Sequence, residues 1–132
     1  MELWKSLWDP TGRIGRVTYV TVAAGVPAVA ILVLGTPVMR TIFAIDQDAE
    51  LIIWTIGVGY VILVILPGSI IQLIAMVKRL HDVDRPGAIA LVGLIPYVNL
   101  ILLVYLIVKK GTDGPNQYGA APGGGWIAQL IG

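Results

Sequence analysis

Residues 78–87 read "KRLHDVDRPG", and six of these ten side chains can carry charge. His81, the single histidine of the chain, stands beside Asp82. A histidine changes charge near neutral pH, so with an adjacent carboxylate it could pass a proton. A nucleophilic triad would need a third member, but the chain has no cysteine and no serine in a nucleophile context. One histidine with scattered acids is a poor metal site, so neither a metal nor another cofactor is expected. The competing reading is structural. If a helix runs through this stretch, Lys78, Asp82 and Arg85 share one face at i, i+4 and i+7 and pair with one another. Pro86 then disfavours helix at Arg85 and ends the element there. Lys78 and Arg79 would fix topology and meet anionic headgroups, at about 1 kcal/mol per basic residue near the surface. The balance favours structure and headgroup binding over catalysis.

Two further blocks carry polar chemistry. "GRIGR", Gly12 to Arg16, places Arg13 and Arg16 one turn apart, where they would face phosphates or the acids Asp82 and Asp84. "GTDGPNQYG", Gly111 to Gly119, combines three glycines with Pro115 and Asn116. Glycine permits positive φ and asparagine bonds its own backbone, so a compact loop of fixed shape is expected. An anion-holding nest is the functional alternative, but no helix follows to add its dipole and the "GK[ST]" of a P-loop is missing.

The elements that must position these blocks are apolar. The chain of 132 residues is 57% hydrophobic and 13% charged, where a soluble domain carries about a quarter charged residues. The apolar residues are gathered into long runs without charge, the mark of membrane-spanning helices. Residues 17–39 form the first, interrupted by Gly25, Pro27, Gly35 and Pro37. Residues 51–77 form the second, with Pro67-Gly68 inside it, Gly57 and Gly59 as a second close-approach surface, and Gln72 as its one amide. Residues 88–108 form the third, broken in the middle by Pro96 and Asn99. Before the first span, residues 2–9 carry Leu3, Trp4, Leu7 and Trp8 at helical spacing, which predicts an interfacial helix. No short apolar core with a cleavage site follows, so a removable signal peptide is not expected. Residues 123–132 are a glycine-rich tail with a short apolar end.

Lys and Arg collect on the cytoplasmic side of short loops. The N-terminal segment holds Lys5, Arg13 and Arg16, whereas the first loop holds Arg40 alone. The N-terminus is therefore expected inside. Residues 88–108 allow two readings. A single span leaves six basic residues inside and three outside; a hairpin broken at Pro96 leaves eight inside and one outside. Charge asymmetry and the Pro96/Asn99 interruption both favour the hairpin. Under it, all three polar blocks share one cytoplasmic cap.

In order along residues 12 to about 122, the blocks "GRIGR" with Tyr19, "KRLHDVDRPG", "LIP" (Leu94 to Pro96) and "GTDGPNQYG" resemble a family of small bacterial inner-membrane proteins catalogued as domain of unknown function 805. Pro10-Thr11, Val20 and Ala88 depart from its pattern, standing where aromatic residues are usual. The resemblance implies fold and location, and no reaction.

The expectation is an all-α integral membrane protein of one domain, residues 1–122, with two full spans, a third apolar segment and an interfacial N-terminal helix. Its function is expected to be non-enzymatic. A cap of Arg13, Arg16, Lys78, Arg79, His81, Asp82, Arg85 and Asn116 would bind anionic lipid headgroups or a partner protein. The glycine faces suit a homo-oligomer, and no nucleic-acid partner is expected. The alternative is a small oligomeric transporter or channel subunit, for which Gln72 and Asn99 are the intramembrane polar groups.

Overall fold

A computed structural model describes residues 10–44 and 50–123 of the chain. The interfacial helix expected over 2–9 and the apolar end of the tail lie outside these residues. All regular structure among them is helical, apart from one isolated antiparallel bridge between Asn116 and Gly119.

Two helices are long and apolar enough to cross a membrane, Arg16–Ala44 with 29 residues and Glu50–Asp82 with 33. At 1.5 Å per residue they measure about 44 and 50 Å, against a hydrocarbon core of about 30 Å. Each has three parts. The first comprises α1 (Arg16–Val29), a π-helical segment Ala30–Gly35 and α2 (Thr36–Ala44). The second comprises α3 (Glu50–Tyr60), a π-helical segment Val61–Ile65 and α4 (Leu66–Asp82). Both π-helical segments end two residues before a proline, Pro37 and Pro67. A proline has no N–H to donate and its ring presses on the carbonyl four residues back, here Val33 and Leu63. The preceding turn widens to relieve that clash.

The chain divides into two compact units, Met1–Ala23 with Ile71–Gly132, and Ala24–Ile70. In the second, the Tyr60 hydroxyl donates to the Ala30 carbonyl at 2.6 Å. Gly35 makes room for it, since a Cβ there would lie 3.0 Å from the tyrosine oxygen. A Cβ at Gly68 would likewise press on Val26, whereas one at Gly25, Gly57 or Gly59 would meet no other part of the chain within 4 Å. Of the close approaches expected among these glycines, the one at Gly35 is realised within the described residues and those at Gly25, Gly57 and Gly59 are not, whereas Gly68, expected only as part of a bend, provides one.

The first unit holds most of the buried apolar residues, among them Ile14, Tyr19, Met76, Leu80 and Leu106. Gln72, the amide of the second run, donates from Nε2 to the Ala23 carbonyl at 3.2 Å. That carbonyl is the one Pro27 cannot serve, because proline lacks the N–H that would close the turn. The amide thus supplies a bond that a helix solvated by lipid could not get from water.

Helix α4 stops at Asp82, three residues earlier than the sequence reading placed its end. Asp84 adopts φ 57°, Asp84 N–H bonds the His81 carbonyl at 3.1 Å and Arg85 N–H the Leu80 carbonyl at 2.9 Å. This is a Schellman ending, with an aspartate in the left-handed position usually given to glycine. Arg85 consequently leaves the helical register that would have put it on the face of Lys78 and Asp82. Residues 88–108 are two pieces: a 3-10 helix Gly87–Leu94 and α5 (Pro96–Val108), with Ile95 extended between them. Pro96 takes the first helical position, where its missing N–H costs no hydrogen bond. Along α5, Leu102 and Leu106 are buried while Tyr97, Ile101, Val104 and Val108 face outward. An apolar outer face of this extent marks a surface that meets another apolar phase.

Candidate functional site

Three segments of the first unit converge on Asp82. Arg13 arrives from the stretch just before α1, Arg79 lies one turn back on α4, and the loop 111–119 follows α5. The side chains of Arg13, Arg79 and Asp82 are 1%, 0% and 4% exposed. Burying two guanidinium groups with one carboxylate is expensive unless every polar atom finds a partner. Here they do.

Arg13 donates from Nε and Nη2 to Asp82 Oδ1 at 3.2 and 3.0 Å. Its Nη2 also reaches the Thr112 carbonyl at 2.8 Å and the Thr112 hydroxyl at 2.9 Å. Its Nη1 reaches the carbonyls of Gly114 at 2.8 Å and Gly119 at 3.2 Å. Arg79 donates from Nη1 to Asp82 Oδ2, from Nε to the Leu106 carbonyl at 3.0 Å, and from Nη2 to the Lys109 carbonyl. The last two acceptors lie at the C-terminus of α5, where the helix dipole favours a cation. Asp82 thus divides its two oxygens between two arginines, and the surplus positive charge is met by carbonyl dipoles.

The loop is built to fit. Thr112 N–H and its hydroxyl both donate to the Asp82 carbonyl, at 2.8 and 3.0 Å. Asn116 Nδ2 donates to the His81 carbonyl and to the Thr112 hydroxyl, each at 2.8 Å. Asn116 Oδ1 accepts the Tyr118 N–H at 2.9 Å, which closes the turn. The Tyr118 ring stacks on His81 with centroids 4.0 Å apart and planes 6° from parallel. His81 Nδ1 lies 3.2 Å from the Gly12 carbonyl. Gly111 passes so close to the Asp82 carboxylate that a Cβ would collide with it.

The eight residues singled out from sequence therefore separate into groups. Arg13, Arg79, His81, Asp82 and Asn116 come together in this cluster. Arg16 and Arg85 are exposed, and Lys78 is half-buried, its carbonyl accepting the Ile14 N–H at 3.4 Å. The expected Lys78–Asp82–Arg85 face gives way to Arg79–Asp82 at i, i+3 plus Arg13 from 69 residues away. His81 turns to Tyr118 rather than to Asp82. Of the acids offered to "GRIGR", Arg13 takes Asp82. Thr112 escaped the sequence reading as an individual residue. The signal for it was a hydroxyl at the entry of a glycine-rich loop, adjacent to the glycine that passes Asp82.

The chain is similar to the inner membrane protein YhaI of Escherichia coli K12, 34% identical over 64 residues that cover 48% of this chain and 54% of that protein. It is also similar to inner membrane protein YhaH of the same strain, 38% identical over 63 residues covering 48% of this chain and 49% of the other. The chain spans about half the length of these curated relatives. No solved structure matches it. A model of the protein family of unknown function DUF805 matches residues 7–120, which include all three segments of the cluster, and the chain belongs to that family.

Proposed function

We propose that this chain is a non-enzymatic component of the bacterial inner membrane. Its N-terminus, the end of α4 and the 111–119 loop would share one cytoplasmic cap that receives anionic lipid headgroups. The observation that carries the non-enzymatic reading is the employment of the two acid–base groups. Both oxygens of Asp82 are held by guanidinium groups, and His81 is stacked on Tyr118. Support for the shared side comes from Arg13, which bonds Asp82 and the loop together. Helix α5, at 13 residues, is about 20 Å long, shorter than a hydrocarbon core of about 30 Å. A half-depth hairpin, entering as 3-10 helix and returning as α5, accommodates both facts.

Support for headgroup binding comes from charge. The described part of the first unit holds seven basic side chains (Arg13, Arg16, Lys78, Arg79, Arg85, Lys109, Lys110) against three acids, Asp82, Asp84 and Asp113. Arg13 and Arg79 are committed inward, so the exposed Arg16, Arg85 and Lys109 are the ones placed for phosphates. In purified protein carrying co-purified lipid, Arg16→Gln with Arg85→Gln is expected to lower the ratio of phosphatidylglycerol to phosphatidylethanolamine severalfold. An unchanged ratio would dismiss headgroup binding. Topology is tested separately. Because the chain lacks cysteine, Asp113→Cys provides a single label site on an exposed side chain. It is expected to resist a membrane-impermeant maleimide added to intact spheroplasts and to react after the membrane is opened. Labelling from outside would end the single-cap reading.

A second reading, a small oligomeric transporter or channel subunit, has one observation in its favour. At the break between the 3-10 helix and α5, Asn99 Oδ1 is buried with no hydrogen-bond partner among the described residues. Polar groups inside membrane-embedded segments are usually functional and mark pathways.

A further inference from the structure

The groups that hold Arg13 are also tied to one another and to α4. Thr112 is tied to the Asp82 carbonyl, Asn116 to the His81 carbonyl, and Asn116 to Gly119 by a reciprocal backbone pair. Tyr118 is stacked on His81, and the Asp82 carboxylate is held by Arg79, itself bonded to carbonyls of α5. The Thr112 hydroxyl spends its proton on the Asp82 carbonyl and accepts from Asn116 Nδ2, keeping a lone pair for one more donor. The acceptors left over are one carboxylate oxygen, one hydroxyl and the carbonyls of Thr112, Gly114 and Gly119. They surround a planar head from three sides, with every contact between 2.8 and 3.2 Å.

We infer that Asp82 and the loop 111–119 form a guanidinium receptor, occupied in cis by Arg13. The spread of acceptors decides the ligand class. A guanidinium presents five N–H donors in a rigid plane, whereas an ammonium is a compact point charge with three. A single ammonium nitrogen at the Nη2 position would meet Asp82 Oδ1 and the carbonyl and hydroxyl of Thr112, but it would leave the Gly114 and Gly119 carbonyls, which face Nη1, without a donor. The site therefore reads the shape of the cation and not merely its charge. The segment before α1 is thereby held to the loop after α5 as a ligand is held to its receptor.

Chemical rescue tests this directly. Arg13→Ala is expected to melt several degrees below the parent protein in detergent. Millimolar guanidinium chloride, added at constant ionic strength, should restore a saturable part of that loss. Urea should not and ammonium chloride should restore less, the parent should gain nothing, and Arg13→Lys should melt between Arg13→Ala and the parent. The inference is overturned if guanidinium gives Arg13→Ala no saturable gain, or if the parent gains equally. Should Arg13→Ala fail to accumulate, Arg13→Gln empties most of the cradle while keeping a planar amide, and the same titration applies.

Discussion

Replacing Asp82 by asparagine is expected to destabilise the protein by about 3–5 kcal/mol, because it leaves two buried guanidinium groups without their counter-charge. The shape is kept, so the loss measures charge and not packing. Asp82 is the sole acid in contact with either arginine among the described residues, and its side chain is 4% exposed. Water cannot replace it there. The expected result is loss of the folded form on heating in mild detergent at temperatures where the parent survives, with the loop 111–119 becoming open to protease. The other i, i+3 ion pair supplies the control. Lys110 and Asp113 lie 2.8 Å apart, but their side chains are 70% and 84% exposed. Exposed pairs contribute between nothing and about 1 kcal/mol, so Lys110→Ala should leave melting almost unchanged. Equal effects of the two substitutions would mean that Asp82 is not buried as described.

Gly111→Ala is the second large effect. A Cβ at residue 111 would collide with the Asp82 carboxylate, which cannot step aside because Arg13 and Arg79 hold both of its oxygens. The backbone must move instead, and overpacking of this kind costs about 1–3 kcal/mol and occasionally more. The adjacent Thr112 N–H would be drawn off the Asp82 carbonyl as well, so the upper part of that range is expected. Gly114→Ala offers the contrast, since no atom lies within 4 Å of its Cβ position and only its φ of 79° opposes the change. That costs roughly 1–2 kcal/mol. Thermal melting of the two variants side by side should place Gly111→Ala lower; the reverse order would show that φ, not contact with Asp82, governs the loop.

The long helices were legible because a charge-free run of apolar residues has few other solutions, and the breaks at Pro37, Pro67 and Pro96 because proline removes a donor wherever it stands. The three polar blocks could be recognised as partners by charge and by topology. Their pairing could not be read off. Asp82 had Lys78 and Arg85 at favourable helical spacing, and only the early stop of α4 at the left-handed Asp84 takes Arg85 away. An aspartate in that position carries little sequence signal, since glycine or asparagine is the usual marker. The split between His81 and Asp82 was equally hidden. Adjacent residues on a helix point about 100° apart, and which of them faces Arg13 depends on where a loop 30 residues downstream returns. Gln72 illustrates the opposite case: it stood out as the one amide of its span, but the vacant carbonyl made by Pro27 lay on another helix.

Most of what Arg13 and Arg79 hold is main chain. Leu106, Lys109, Thr112, Gly114 and Gly119 all contribute carbonyl oxygens, which every amino acid possesses. The arginines thus grip a path through space and are blind to the letters written along it. The exposed residue 109 can change identity without altering what Arg79 feels, provided α5 still ends at the same height, whereas Leu106 is also fixed by its burial in the core. Information in this corner of the molecule is therefore unevenly spread: a few side chains hold the junction, the glycines at 111, 114 and 119 keep its path possible, and exposed neighbours such as Lys109 are free to drift as long as the thread keeps its course.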